Sequence, residues 1–217
     1  MDNENNLLSL NEFVALIDKL SSPIGAERKV FGICGGPGVG KSTLAIKSVE
    51  LLNKKHGREL FAYLPMDGFH MTNEKLIQTH LLDKKGAIET FEIERYLDVL
   101  KAIKAGKTVY APSYSREIHD VVENAIPIAD QKVVITEGNY LLSRNPGWRE
   151  IRSIVDTIFF LFEEKSVTRQ RLFARHKLKG ISDEQVNRHV ELVDMPNYDD
   201  VNTTAQYADR IIRLKPM

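Results

Sequence analysis

Apolar residues along this chain fall into two rhythms: short unbroken runs, and longer stretches with apolar positions three and four apart. The runs at 29–34, 59–66, 132–136 and 157–162 predict buried strands, with shorter strands expected at 107–110 and 211–214. Between them lie helical patterns. Residues 9–20 open with Ser9 and Glu12 spaced as a capping box and place Phe13, Val14, Ile17 and Leu20 on one face. Residues 43–55 repeat the pattern through Leu44, Ala45, Ser48, Val49 and Leu52, and stop at His56-Gly57. A helix is expected over 72–82, and another after a Thr90 cap, with Ile93, Tyr96, Leu97, Leu100 and Ile103 as its stripe. Two helices follow the strand at 157–162, the second opening with Ser182 and Gln185 as a capping box. Met195-Pro196-Asn197 predicts a break, and the polar stretch 111–130 reads as irregular. Strands alternating with helices predict an α/β fold with a parallel, doubly wound sheet. No repeat or linker divides the chain, so one domain over residues 1–217 is expected.

One loop changes the picture. Gly35, Gly36, Pro37, Gly38, Val39, Gly40, Lys41 and Ser42 stand between the first strand and the helix that follows. They spell G-x-x-x-x-G-K-S in the strand–loop–helix setting that a phosphate-binding P-loop requires. Glycines let the backbone curl and aim N–H groups inward, where a side chain would obstruct phosphates. The helix N-terminus adds the positive end of its dipole. Lys41 is placed to reach β- and γ-phosphates, and the Ser42 hydroxyl suits Mg²⁺. A nucleoside triphosphate is the expected ligand.

Composition narrows the partners. The chain has 217 residues, 42% hydrophobic and 28% charged, with zero formal net charge. That neutral balance argues against a nucleic-acid or anionic-membrane partner. No run reaches transmembrane length, and Met1 to Asn6 lack a basic signal-peptide start, so a cytoplasmic protein is expected. Cys34 is the only cysteine and sits inside a predicted strand, which reads as a buried inert thiol.

Phosphoryl transfer also needs a group to orient the nucleophile and positive charge for the transition state. Two acidic residues end apolar runs, Asp67 and Glu137. One could serve Mg²⁺ and the other accept a proton, and position alone does not divide the roles. Arg169, Arg171, Arg175, His176, Lys177 and Lys179 crowd a helix that ends at Gly180. They read either as a lid over the phosphates or as a solvated face. His70 and His119 lie near the expected site, and the six histidines show no metal-binding pair spacing.

Five segments in order, GGPGVGKST at 35–43, LPMDGFHM at 64–71, PSYSREIHD at 112–120, ITEGNYLL at 135–142 and RLFARH at 171–176, resemble the phosphoribulokinase/uridine kinase family of P-loop kinases. MDGFHMTN, EGNYLL and DMPNYDDV are most similar to its nucleoside or fructose transport-system kinase subgroup. The resemblance implies a P-loop NTPase fold with a small helical lid over about 165–182, and ATP with Mg²⁺ as cofactors. It implies nucleotide contacts from residues 35–43, Thr43 included, and an adenine neighbour in Asn197. It casts Asp67 as catalytic base, Glu137 as the acid serving Mg²⁺, and Arg171 and Arg175, with Arg169 behind them, as lid arginines. Tyr114, Ser115, Arg116 and His119 match the segment that meets the acceptor. PSYSREIHD approaches the pantothenate kinase pattern, but carries Arg116 and His119 where that pattern has histidine and tyrosine. Relatives are often dimers, so a homodimer is possible.

The reading is an ATP-dependent kinase acting on a hydroxyl of a small metabolite: a nucleoside, a sugar or a pantothenate-like compound. The rival is a regulatory ATP-binding module that acts on a protein partner and needs no small acceptor.

Overall fold

The computed structural model describes residues 7–178, 180 and 182–215; Met1 to Asn6, and Lys179 and Ile181 of the expected lid, lie outside them. In chain order its strands are β1 (Leu7–Leu8), β2 (Lys29–Cys34), β3 (Phe61–Pro65), β4 (Val109–Ser115), β5 (Asp120–Ile128), β6 (Val133–Gly138), β7 (Thr157–Leu161) and β8 (Arg210–Leu214). The helices are α1 (Leu10–Ser21), α2 (Lys41–His56), α3 (Asn73–Gln78), α4 (Ile93–Lys104), α5 (Ile151–Ile154), α6 (Lys165–Lys177), α7 (Asp183–His189) and α8 (Met195–Thr203).

Six strands form one sheet in the order β1-β8-β7-β2-β6-β3, every neighbouring pair parallel. Parallel strands need both faces covered, and the unbroken apolar runs supply side chains to both. Along β2, Val30 and Cys34 join Tyr96, Leu97 and Leu100 of α4 in one core. Phe31 and Ile33, pointing the other way, join Phe13 and Ile17 of α1 and Leu44 and Leu52 of α2 in a second. The Ser9–Glu12 capping box is present at the head of α1.

Four local expectations are corrected. The helix over 72–82 is only α3, because His80 adopts a left-handed φ of 57° and Leu81 turns its amide back to Leu76. Thr90 does not cap α4; its hydroxyl accepts from Gly86 and donates to Ala87 in the preceding turn. The stretch 111–130 is not irregular. It carries most of an antiparallel hairpin, β4–β5, whose β5 is largely exposed and has no buried face to set an alternation. The chain also stays helical through Met195-Pro196-Asn197. A π-turn over Val190–Asp194 runs directly into α8, and its wider i→i+5 pattern just before Pro196 accommodates a residue with no N–H to give.

The hairpin does not join the main sheet. Its base is held by buried Arg28, just before β2, whose guanidinium donates to the carbonyls of Lys107, Ala129 and Gln131.

Candidate active site

The site lies where β2, β3 and β6 end together. The register pairs Glu137 of β6 with Ile33 on one side and Pro65 on the other. Three loops therefore leave the sheet at one level, as open α/β sheets place their ligand sites.

After β2 the chain forms the glycine loop and enters α2. Gly40 takes φ 103°, a conformation that any side chain would strain, and this turns Lys41 into the first helical position. Lys41 is buried; its Nζ donates to the carbonyl of Gly36 at 2.9 Å and to Oδ1 of Asn139 at 2.7 Å. Burial lowers its pKa, and the charges of Glu137 and Asp67 oppose that shift.

Glu137 faces Lys41 from β6. Its Oε1 accepts from the Ser42 hydroxyl at 3.0 Å and the Tyr63 hydroxyl at 2.8 Å. Burial raises its pKa, Lys41 pulls it down, and Asp67 pushes it up again. Burial and the adjacent carboxylate also raise the Tyr63 phenol, which fixes it as a donor.

Asp67 follows β3 in a 3₁₀ turn, Met66–Phe69. Gly68 beside it is packed so closely on the Pro112 carbonyl of β4 that an added Cβ would collide with backbone. That contact seats the hairpin against the Asp67 turn. His70 places its Nδ1 2.8 Å from the Asp67 carbonyl, and its ring meets those of Phe91 and Tyr114 at tilted angles, with centroids 3.9 and 5.3 Å away.

A cleft of about 1030 Å³ runs over the glycine loop. Residues 37–43, Asp67, His70, Arg116, Glu137, Arg171, Arg175 and Asn197 all line it. A smaller cavity of about 410 Å³ opens beside it under the hairpin. Tyr114 belongs to this second space, and Asp67, Arg116, Glu137, Ser42 and Thr43 border both. Gly35 and Gly36 stand behind the loop and line neither.

The basic helix is α6. Its Arg171 reaches Glu163 at 2.9 Å, while Arg175 feels desolvation, which lowers its pKa, and the opposing pull of Asp194 and Asp67. Arg169 points elsewhere and pairs with Glu191. His119 is placed differently from the sequence expectation. It sits in the hairpin turn with φ 53°, lines neither cavity, and offers only its carbonyl, to Asn73 and Lys85.

Two residues at the centre were not singled out from sequence. Asn139 had a cue, two positions beyond Glu137 at a strand end. Tyr63 had none, because an inward tyrosine in an apolar strand reads as core.

The family model for the phosphoribulokinase / uridine kinase family matches residues 30–217. A Schizosaccharomyces pombe protein provisionally named as a uridine kinase is 33% identical over 180 residues, covering 79% of this chain and 77% of its own. Pantothenate kinase of Streptococcus pyogenes is 39% identical over 95 residues, 44% of this chain and 31% of that one. A crystal structure from Silicibacter sp. TM1040, described provisionally as a fructose transport system kinase, superposes with TM-score 0.86 at 29% identity, covering 94% of this chain and 98% of that one.

Proposed function

The chain belongs to the phosphoribulokinase/uridine kinase family, a family of small-molecule kinases, and from that premise we propose that it transfers the γ-phosphoryl group of ATP to a hydroxyl of a small metabolite. The observation that carries this reading is the position of Asp67 on the shared border of the two cavities. The larger one holds the P-loop and suits the triphosphate. The smaller one, bordered on one side by the hairpin, suits the acceptor.

Asp67 would accept the proton of the acceptor hydroxyl as that oxygen attacks the γ-phosphorus in line. The glycine-loop amides and Lys41 would hold the triphosphate, and Arg175 and Arg171 would meet the charge that develops on transfer. Ser42 and Glu137 present hard oxygen donors at the head of α2, a set that fits Mg²⁺. When bound, the ion would neutralise charge on the phosphates. Arg116, which borders both cavities, supports a substrate with an anionic substituent, within the nucleoside, sugar or pantothenate-like range. A regulatory module would need no second cavity at Asp67, and that cavity favours the kinase.

The test is ATP consumption across nucleosides, sugars, their phosphates and pantothenate, with Asp67→Asn as control. One compound should raise ADP release well above the acceptor-free rate, and Asp67→Asn should lose the rise while still binding ATP. Full activity in the variant would remove Asp67 from the base role. Tight ATP binding with no responsive acceptor would favour the regulatory module.

A further inference from the structure

At the edge of the large cleft, α6, α7 and the turn after them gather three side chains able to ligate a metal that sequence spacing keeps apart. His176 closes the last turn of α6, His189 is the last residue of α7, and Asp194 ends the π-turn that follows. One ligand atom from each lies within 4.8 Å of the others. His176 and Asp194 are buried, with Nε2 and Oδ2 2.8 Å apart, while His189 is exposed and its ring meets that of His176 at 4.7 Å.

We propose that His176, His189 and Asp194 form a binding site for a divalent transition metal, of which Zn²⁺ is the best fit, tying α6 to α7 across the lid. Two imidazoles and a carboxylate are borderline donors that suit zinc, whereas Mg²⁺ prefers an all-oxygen shell. Zinc bonds of about 2.0–2.2 Å hold tetrahedral ligand atoms about 3.3 Å apart. The His176–Asp194 pair then opens by roughly half an ångström, and the most distant atom closes in from at most 4.8 Å. All three residues also border the large cleft, which leaves a fourth position for water. Occupancy has a consequence for the lid: a metal holding Asp194 removes part of the countercharge that Arg175 feels. The inference does not depend on the kinase reading, since it rests on α6, α7 and the turn alone.

The experiment is a Co²⁺ titration of the metal-freed full chain. The expected result is the intense visible absorption of four-coordinate cobalt, saturating at one equivalent and displaced by Zn²⁺. His189→Ala, at an exposed position, and Asp194→Asn should both abolish it with far-UV circular dichroism unchanged. His80→Asn, at a remote histidine, should keep it. No visible band in the parent protein, or an unchanged band in His189→Ala, overturns the site. A second readout follows chymotrypsin cleavage after Leu178, which is 89% exposed just past α6. Zinc should slow cleavage there in the parent protein and not in His189→Ala; an equal rate with and without zinc in the parent removes the tie between α6 and α7.

Discussion

The amine of Lys41 donates to the side-chain oxygen of Asn139 across 2.7 Å, so the P-loop lysine has a protein partner before any phosphate arrives. Asn139→Ala leaves a buried ammonium with one bond fewer, a loss of about 1–3 kcal/mol in the nucleotide-free protein. With ATP saturating, phosphate oxygens replace that partner and the deficit should shrink. Thermal denaturation with and without ATP checks this; equal deficits in both conditions would contradict it.

Tyr63 steadies the carboxylate that we propose serves Mg²⁺. Tyr63→Phe keeps the ring and removes one donor to Glu137. The Mg²⁺ concentration for half-maximal activity should rise about tenfold, the usual effect of losing a partner that orients a ligand. An unchanged Mg²⁺ requirement would assign Tyr63 to packing alone.

The three arginines of α6 should separate. Arg175→Ala and Arg171→Ala remove cleft-lining charge, and for Arg175 a fall in kcat of about a hundredfold is expected. Arg169 is engaged with Glu191 on an exposed face, so Arg169→Ala should change kcat by less than about twofold. Steady-state kinetics of the three variants decide it.

His70 imposes a pH dependence on stability. Burial holds its pKa below the usual 6.5, with Lys85 adding to the shift and Asp67 opposing it. The unfolded chain therefore takes up a proton that the folded one refuses, and stability falls as pH drops through 6.5. The loss stops growing once the folded imidazole also titrates. His70→Asn keeps a donor for the Asp67 carbonyl and has no proton to gain. Urea midpoints at about pH 7.5 and about pH 5.5 should differ less in the variant.

Cys34 is fully buried, and its thiol is pushed up to about 11. At about pH 8 roughly one thiol in a thousand is ionised. Iodoacetamide should leave the native protein unlabelled and modify it rapidly in denaturant.

The legible parts of this protein were those that physics writes into adjacent residues. Val30 to Cys34 must be apolar because both sheet faces are covered, and Gly35 to Ser42 set glycines and a lysine in the order of a phosphate-binding loop. The hairpin was hidden because β5 lies largely in solvent and shows no alternation, while Pro127 within it argued against a strand. The helix through Pro196 was hidden because a proline breaks a pattern on paper, whereas the π-turn before it accommodates the missing donor. In the site, Asp67 and Glu137 stood out at strand ends, whereas Tyr63 and the grouping of His176 with His189 exist only once distant elements meet.

The β4–β5 hairpin shares no hydrogen-bonded ladder with the six-stranded sheet and meets the Asp67 turn through Gly68 and Pro112. Substitutions along its exposed strand β5 should therefore leave the strands that carry the glycine loop in place. If the cavity under the hairpin takes the acceptor as proposed, exchanging the hairpin would change the acceptor while the glycine loop keeps its frame.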